Sequence, residues 1–166
     1  KKILKISQLQ IQGLDEPIKN AKLIKEKLLK TITFNPDIIS LPECSNLITN
    51  NKKHLFKNAN YESDCPVLNE CTKFSKEYRK IIHIGSLLLK QKKSSKLLNR
   101  SFIVGSNGKI QKFYDKIHLF DANISDKERY KESSLFIKGK KISYTNILNT
   151  KIGLTICYDL RFPFLY

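Results

Sequence analysis

Between residues 17 and 41 the spacing of apolar residues changes period, and that change restricts the chain to folds that layer helices on a sheet. Pro17 opens a segment in which Ile18, Ala21, Ile24, Leu28 and Ile32 recur every three or four residues, as one face of a helix does. Asp37-Ile38-Ile39-Ser40-Leu41 then forms a short apolar run that reads as a central strand ending at Pro42-Glu43. Residues 3–11 mix Ile and Leu with Ser and Gln and read as a buried strand. A second helix is expected over 66–79, with Val67, Cys71, Phe74 and Tyr78 on one face. Residues 81–89 and 98–104 are β-rich, Ser106-Asn107-Gly108-Lys109 is a hairpin turn, and 110–115 is the return strand. Polar residues 121–134 read as a long loop of the kind that carries function. Two more strands, near 142–148 and 151–157, end at Cys157. The order β-α-β-α followed by several strands predicts a layered α/β or α+β domain.

The chain has 166 residues, the length of one domain with a real core. With 40% hydrophobic and 28% charged residues it is globular rather than disordered in composition. No apolar run reaches the roughly 18 residues of a membrane span. The N-terminus, Lys1-Lys2-Ile3-Leu4-Lys5-Ile6, turns polar without a signal peptide's apolar stretch, so a cytoplasmic location is expected. Cysteines at positions 44, 65, 71 and 157 form no C-x-x-C pair, which argues against a zinc site or a disulfide framework and leaves thiols free to act as nucleophiles. The net charge of +16 invites a nucleic-acid reading, but of 31 basic residues only Arg79, Arg100, Arg129 and Arg161 are arginine. Arginine is the usual reader of phosphate and base edges. The lysines are scattered and form no recognised nucleic-acid motif, so they read as a solvated surface.

Three positions attract chemistry. Glu43 follows a buried strand, where partial burial can raise a carboxylate's pKa and make it a base, although a capping or salt-bridged glutamate fits the same position. Lys116 lies in Tyr114-Asp115-Lys116-Ile117-His118-Leu119-Phe120, on the same side as His118. There it can supply a fixed positive charge to a developing oxyanion, or snorkel from a strand edge. Cys157 ends the apolar strand of Lys151-Ile152-Gly153-Leu154-Thr155-Ile156 and precedes an expected helix. A strand-to-helix turn exposes a side chain, aims backbone N–H groups at it and is expected to lower the thiol pKa. Free cysteines are otherwise most often small buried apolar residues.

Leu41-Pro42-Glu43, the stretch from Tyr114 to Asp121, and Gly153-Leu154-Thr155-Ile156-Cys157-Tyr158-Asp159-Leu160-Arg161-Phe162-Pro163 resemble the Glu, Lys and Cys motifs of the nitrilase superfamily of carbon–nitrogen hydrolases, in that order. The last two motifs look most like the branch containing ω-amidase and deaminated-glutathione amidase. The resemblance implies an α-β-β-α sandwich, with residues 1–166 as a single partial domain running through the nucleophile turn. It implies a catalytic triad of Glu43, Lys116 and Cys157, with Glu132 as a second glutamate beside the site and the Tyr158 N–H as an oxyanion donor. The implied reaction is hydrolysis of a small carboxylate-bearing amide through a cysteine thioester, with no metal or organic cofactor. A nitrile or N-carbamoyl hydrolase with the same triad is the alternative, and an inactive fragment is another. A homo-oligomer is implied for the full-length protein, with a small-molecule substrate and neither nucleic acid nor membrane as partner. Phe164 stands where relatives commonly carry an acidic residue, and Lys138-Gly139 replaces a frequent Pro-Gly. There is no methionine, and Phe162-Pro163-Phe164-Leu165-Tyr166 reads as the opening of a helix, so a C-terminally truncated member is expected.

Overall fold

The computed structural model describes residues 3–123 and 129–166. Strands β1 (Ile6–Gln8), β2 (Ile38–Leu41), β3 (Ile81–Lys90), β4 (Leu97–Val104) and β5 (Ile110–Asp115) lie side by side in that order in one mixed sheet. The β1–β2 and β2–β3 pairs are parallel, and the β3–β4 and β4–β5 pairs are antiparallel. Parallel neighbours need a crossover. Helix α1 (Pro17–Thr31) supplies it between β1 and β2; α2 (Lys52–Asn58) and α3 (Pro66–Tyr78) lie between β2 and β3.

Both long helices begin with proline, whose missing N–H would have had no partner in the first turn. Ala21, Ile24 and Leu28 of α1 and Val67, Leu68, Cys71 and Phe74 of α3 are buried against Ile39, Ile82, Ile84, Phe102 and Val104 of the sheet. Each fully buried aliphatic or phenyl side chain contributes about 1.5–3 kcal/mol. The opposite sheet face carries Ile38, Ile103 and Tyr114. It is covered in part by Ile147, Leu154 and Ile156, which come from or follow the hairpin of β8 (Tyr144–Ile147) and β9 (Thr150–Gly153). Between β5 and β8 in the chain comes a smaller hairpin, β6 (Asp121–Asn123) and β7 (Arg129–Lys131). No helix among the described residues is long and apolar enough to cross a membrane.

The layered α/β expectation matches this architecture, and the second helix, both long strands and the 110–115 return fall where the periodicity puts them. Four expectations change. The strand within 3–11 is a three-residue edge strand with Ile6 and Gln8 exposed, because β1 has a neighbour on one side only. The long polar loop of 121–134 is instead the β6–β7 hairpin followed by a turn at Glu132–Ser134, and residues 124–128 within it lie outside the described residues. The strand expected to end at Cys157 stops at Gly153, and the expected helix is a single tight turn over Cys157–Arg161, with a second at Pro163–Leu165. Helix α2 went unforeseen, since only Leu55 of it is buried and so short a helix shows no periodic face.

One irregularity places the turn that carries Glu43. The β3–β4 register shifts between Ile84 and Leu87, and there Gly85 abuts the end of β2. A Cβ on Gly85 would lie 2.4 Å from the Leu41 carbonyl oxygen and 2.6 Å from that of Pro42. The bulged Ser86 accepts from the Cys44 N–H through Oγ at 2.9 Å, and its carbonyl accepts from the Ser45 N–H at 2.9 Å. The Asn46 side chain then pairs with β3, its Oδ1 accepting from the Leu88 N–H at 2.8 Å and its Nδ2 donating to the Leu88 carbonyl at 2.9 Å. Since the atoms opposing a new Cβ are backbone, Gly85→Ala is expected to destabilise the protein by about 1–3 kcal/mol in urea unfolding. An unchanged unfolding midpoint would show that the bulge tolerates the methyl group.

Candidate active site

Every site residue singled out in the sequence lies in a segment that follows a strand: Glu43 after β2, Lys116 after β5, Glu132 after β7, and Cys157 and Tyr158 after β9. Glu43 leaves β2 in a turn whose next residue, Cys44, has φ 55°. Lys116 follows β5, and its backbone is fixed on both sides. Its N–H donates to Asn99 O at 3.0 Å, and its carbonyl accepts from Gly139 N–H at 2.8 Å. Gly139 can approach so closely only because it lacks a side chain, for a Cβ there would meet the Asp115 carbonyl oxygen at 2.0 Å. The glycine of the unusual Lys138-Gly139 pair thus has a positional role, whatever residue precedes it.

Lys116 does not snorkel. It is 1% exposed, the only buried lysine or arginine among the described residues. Its Nζ donates to Glu43 Oε1 and to Glu132 Oε1, each at 3.1 Å. Burial alone would lower the ammonium's pKa, but the two carboxylates outweigh it and the net shift is upward. The charge is therefore held. Glu132, which falls in the stretch that reads from sequence as a long polar loop, is in contact through both oxygens, since its Oε2 accepts from the Phe120 N–H at 2.7 Å. Glu43 is held at the same oxygen that meets Lys116, because Asn99 Nδ2 donates to Oε1 at 2.8 Å.

Cys157 sits at the start of its turn with φ 46°, exposed, and near enough to Glu43 for that carboxylate to act on its thiol. Burial is the largest influence on that thiol and the negative charge of Glu43 the next; Lys116 opposes both, and the pKa ends above the ordinary value. This corrects the expectation that the turn would depress it. Two carboxylates already face one ammonium here, so losing the thiol proton to solvent would add a second uncompensated negative charge. Passing the proton to Glu43 adds none.

The Tyr158 ring stands edge-on to Phe120, with centroids 4.9 Å apart, and to Phe162 at 5.3 Å. Phe162 stacks on His118 at 3.7 Å. Phe164, at the departure from the resembled motif, projects fully into solvent. Among the described residues no group of three or more His, Cys, Asp or Glu side chains is placed to hold a metal ion.

Sequence reasoning missed Asn99, Tyr114 and Asp159. Asn99 had a signal. In Leu98-Asn99-Arg100-Ser101-Phe102-Ile103-Val104 the even positions 98, 102 and 104 face the helices, so Asn99 and Ser101 share the face that carries the site. The same face holds a half-buried polar chain in which His83 bonds Ser40 at 2.9 Å and Ser101 at 3.2 Å. Burial lowers the pKa of His83 to about 4, so it is neutral near pH 7.

A family model described as carbon–nitrogen hydrolase matches residues 6–166. Nitrilase homolog 2 of Dictyostelium discoideum is 30% identical over 162 residues, covering 98% of this chain and 49% of that protein. Deaminated glutathione amidase of Yersinia enterocolitica is 30% identical over 143 residues, covering 85% of this chain and 50% of its own length. The crystal structure of the Caenorhabditis elegans NitFhit protein superposes with a TM-score of 0.88 at 27% identity, over 98% of this chain and 40% of that one. The chain spans about half the length of the relatives it matches.

The Glu43 charge holds the thiol pKa up, so Glu43→Gln is expected to lower the pH midpoint of Cys157 alkylation by iodoacetamide, read on the Cys157 peptide by mass spectrometry. A midpoint that stays put or rises would mean that Glu43 and the thiol are not in contact in solution.

Proposed function

The chain belongs to the carbon–nitrogen hydrolase family, and from that premise we propose that Cys157, Glu43 and Lys116 hydrolyse a small carboxylate-bearing amide, an ω-amide, through a thioester. The observation that carries this reading is the convergence of a protonated thiol on a carboxylate that is itself bonded to a buried ammonium. With Oε1 of Glu43 occupied by Lys116 and Asn99, Oε2 is the oxygen left for proton transfer.

Glu43 takes the thiol proton as the sulfur bonds to the amide carbon. The oxygen of the tetrahedral adduct gathers negative charge between the Lys116 ammonium and the Tyr158 N–H, where loss of one donor typically costs about 100- to 1,000-fold in rate. The C–N bond breaks as Glu43 returns the proton to nitrogen, releasing ammonia and leaving the acyl group on Cys157. Glu43 then deprotonates a water that attacks the thioester carbon. The thiolate leaves and takes that proton back, and the acid product departs. Glu132 keeps Lys116 charged and fixed while Glu43 gains and loses its proton.

The two site carboxylates would repel an anion, so the substrate's own carboxylate must sit away from the reacting carbon. The Yersinia relative's name, deaminated glutathione amidase, agrees with an acid-bearing amide. Residues 1–166 are read as one carbon–nitrogen hydrolase domain, and a cytoplasmic homo-oligomer of the full-length protein belongs to the same reading.

Cys157→Ala is expected to abolish ammonia release from ω-amides while leaving the thermal unfolding midpoint within about 2 °C, and Lys116→Met to reduce the rate at least roughly 100-fold. Undiminished release by Cys157→Ala would sink the mechanism. Turnover of nitriles or N-carbamoyl compounds in place of amides would move the substrate assignment but keep the triad.

A further inference from the structure

Asp159 lies two residues beyond Cys157 and is completely buried. Its Oδ1 accepts from the His118 N–H at 3.0 Å and from His118 Nδ1 at 2.7 Å. Its Oδ2 accepts from Tyr114 OH at 2.7 Å and from the Ile156 N–H at 2.9 Å. All four acceptor positions of a carboxylate are thereby filled. The donors come from three places: the end of β5, the segment after Lys116, and the residue just before the nucleophile. Tyr114 OH accepts in turn from the Ile117 N–H at 3.1 Å, so the segment that carries Lys116 is tied into the same knot.

Cys157, between Ile156 and Asp159, adopts φ 46°, a conformation that non-glycine residues seldom occupy. Such a residue persists only where its surroundings fix it from both sides. Here Asp159 closes back on Ile156 through its carboxylate, while its own N–H donates to the Ile156 carbonyl at 3.1 Å. Asparagine, with a single acceptor oxygen, could not take the same four donors.

We propose that Asp159 is a positioning residue for Cys157: its buried carboxylate clamps the turn against the Tyr114–His118 segment and so holds the nucleophile on Glu43. This rests on Cys157 as the nucleophile. The charges that act on the thiol are those of Glu43, Lys116 and Glu132. Asp159's oxygens are engaged by four donors, none of them the thiol, so its influence passes through the backbone.

The test uses Asp159→Asn, which puts an N–H group among donors, and Tyr114→Phe, which removes one donor and leaves the carboxylate. Both are read by the pH midpoint of Cys157 alkylation on its own peptide, by the kinetics of ammonia release and by thermal unfolding. As the thiol leaves Glu43, the alkylation midpoint should fall toward that of an ordinary cysteine. In the same folded protein kcat should drop roughly 100-fold for Asp159→Asn and roughly tenfold for Tyr114→Phe, with KM nearly unchanged, as expected for a small misplacement of a reacting atom. If Asp159→Asn does not fold, Tyr114→Phe decides by the same readouts. An unchanged midpoint or an unchanged kcat in folded variants overturns the proposal, even if unfolding occurs at lower temperature, since that pattern marks a purely structural group. Should the unsubstituted protein release ammonia from no substrate, the hydrolase reading fails, and the alkylation midpoint still decides the role of Asp159.

Discussion

A lysine ammonium cannot be taken out of water unless charge and hydrogen bonds replace the water, and Lys116 is almost wholly buried. Glu43 and Glu132 supply both, one from the end of β2 and the other from the turn after β7. Removing one partner of such a buried set typically costs about 3–5 kcal/mol, because the remaining charge is left uncompensated. Three distant stretches of chain must therefore arrive together for any of them to be stable there. The backbone around them is fitted to that demand, through Gly139 and Asn99 at Lys116, the Phe120 N–H at Glu132, and the bulge at Ser86 beside Glu43.

The same arrangement accounts for the thiol. In many cysteine sites a nearby cation depresses the pKa and the thiolate waits ready. Here the ammonium is already matched by two carboxylates, and the charge of one of them, Glu43, acts on the Cys157 thiol. In the proposed mechanism the sulfur stays protonated until Glu43 receives its proton at the moment of attack. Two left-handed backbone positions, Cys44 and Cys157, lie at the turns that carry Glu43 and the exposed thiol. Each costs of order 1–3 kcal/mol. The first is offset by hydrogen bonds from β3, the second by the full set around Asp159. Strain located at the reacting groups and relieved by neighbours is a common form of preorganisation.

The periodicity of the chain determined a good deal. The alternation of a 3.6-residue period with short apolar runs defined α1, α3, β2 and the β3–β4–β5 meander, because each of these elements buries one regular face. It failed where no regular face is buried. The β1 edge strand and the short helix α2 each contribute too few buried residues to impose a period. Glu43, Lys116, Glu132 and Cys157 were legible as a set only through the resemblance of their surrounding motifs, since each alone had an ordinary reading. Asn99 left a trace in the strand alternation. Asp159 left none, for an aspartate after a tyrosine in a short turn looks like any exposed acid until Tyr114 and His118 are seen against it.

Local sequence thus set which segments would be helix or strand and which side chains had the chemistry to react, since propensity and period act over a few residues. Only the tertiary structure decided the charge state of that chemistry. Whether a lysine is buried, which oxygen of a glutamate is occupied, and whether a thiol is acid or held protonated all depend on groups 12 to 114 residues apart in the chain. Coulomb and hydrogen-bond energies follow distance in space, and the fold alone fixes that distance.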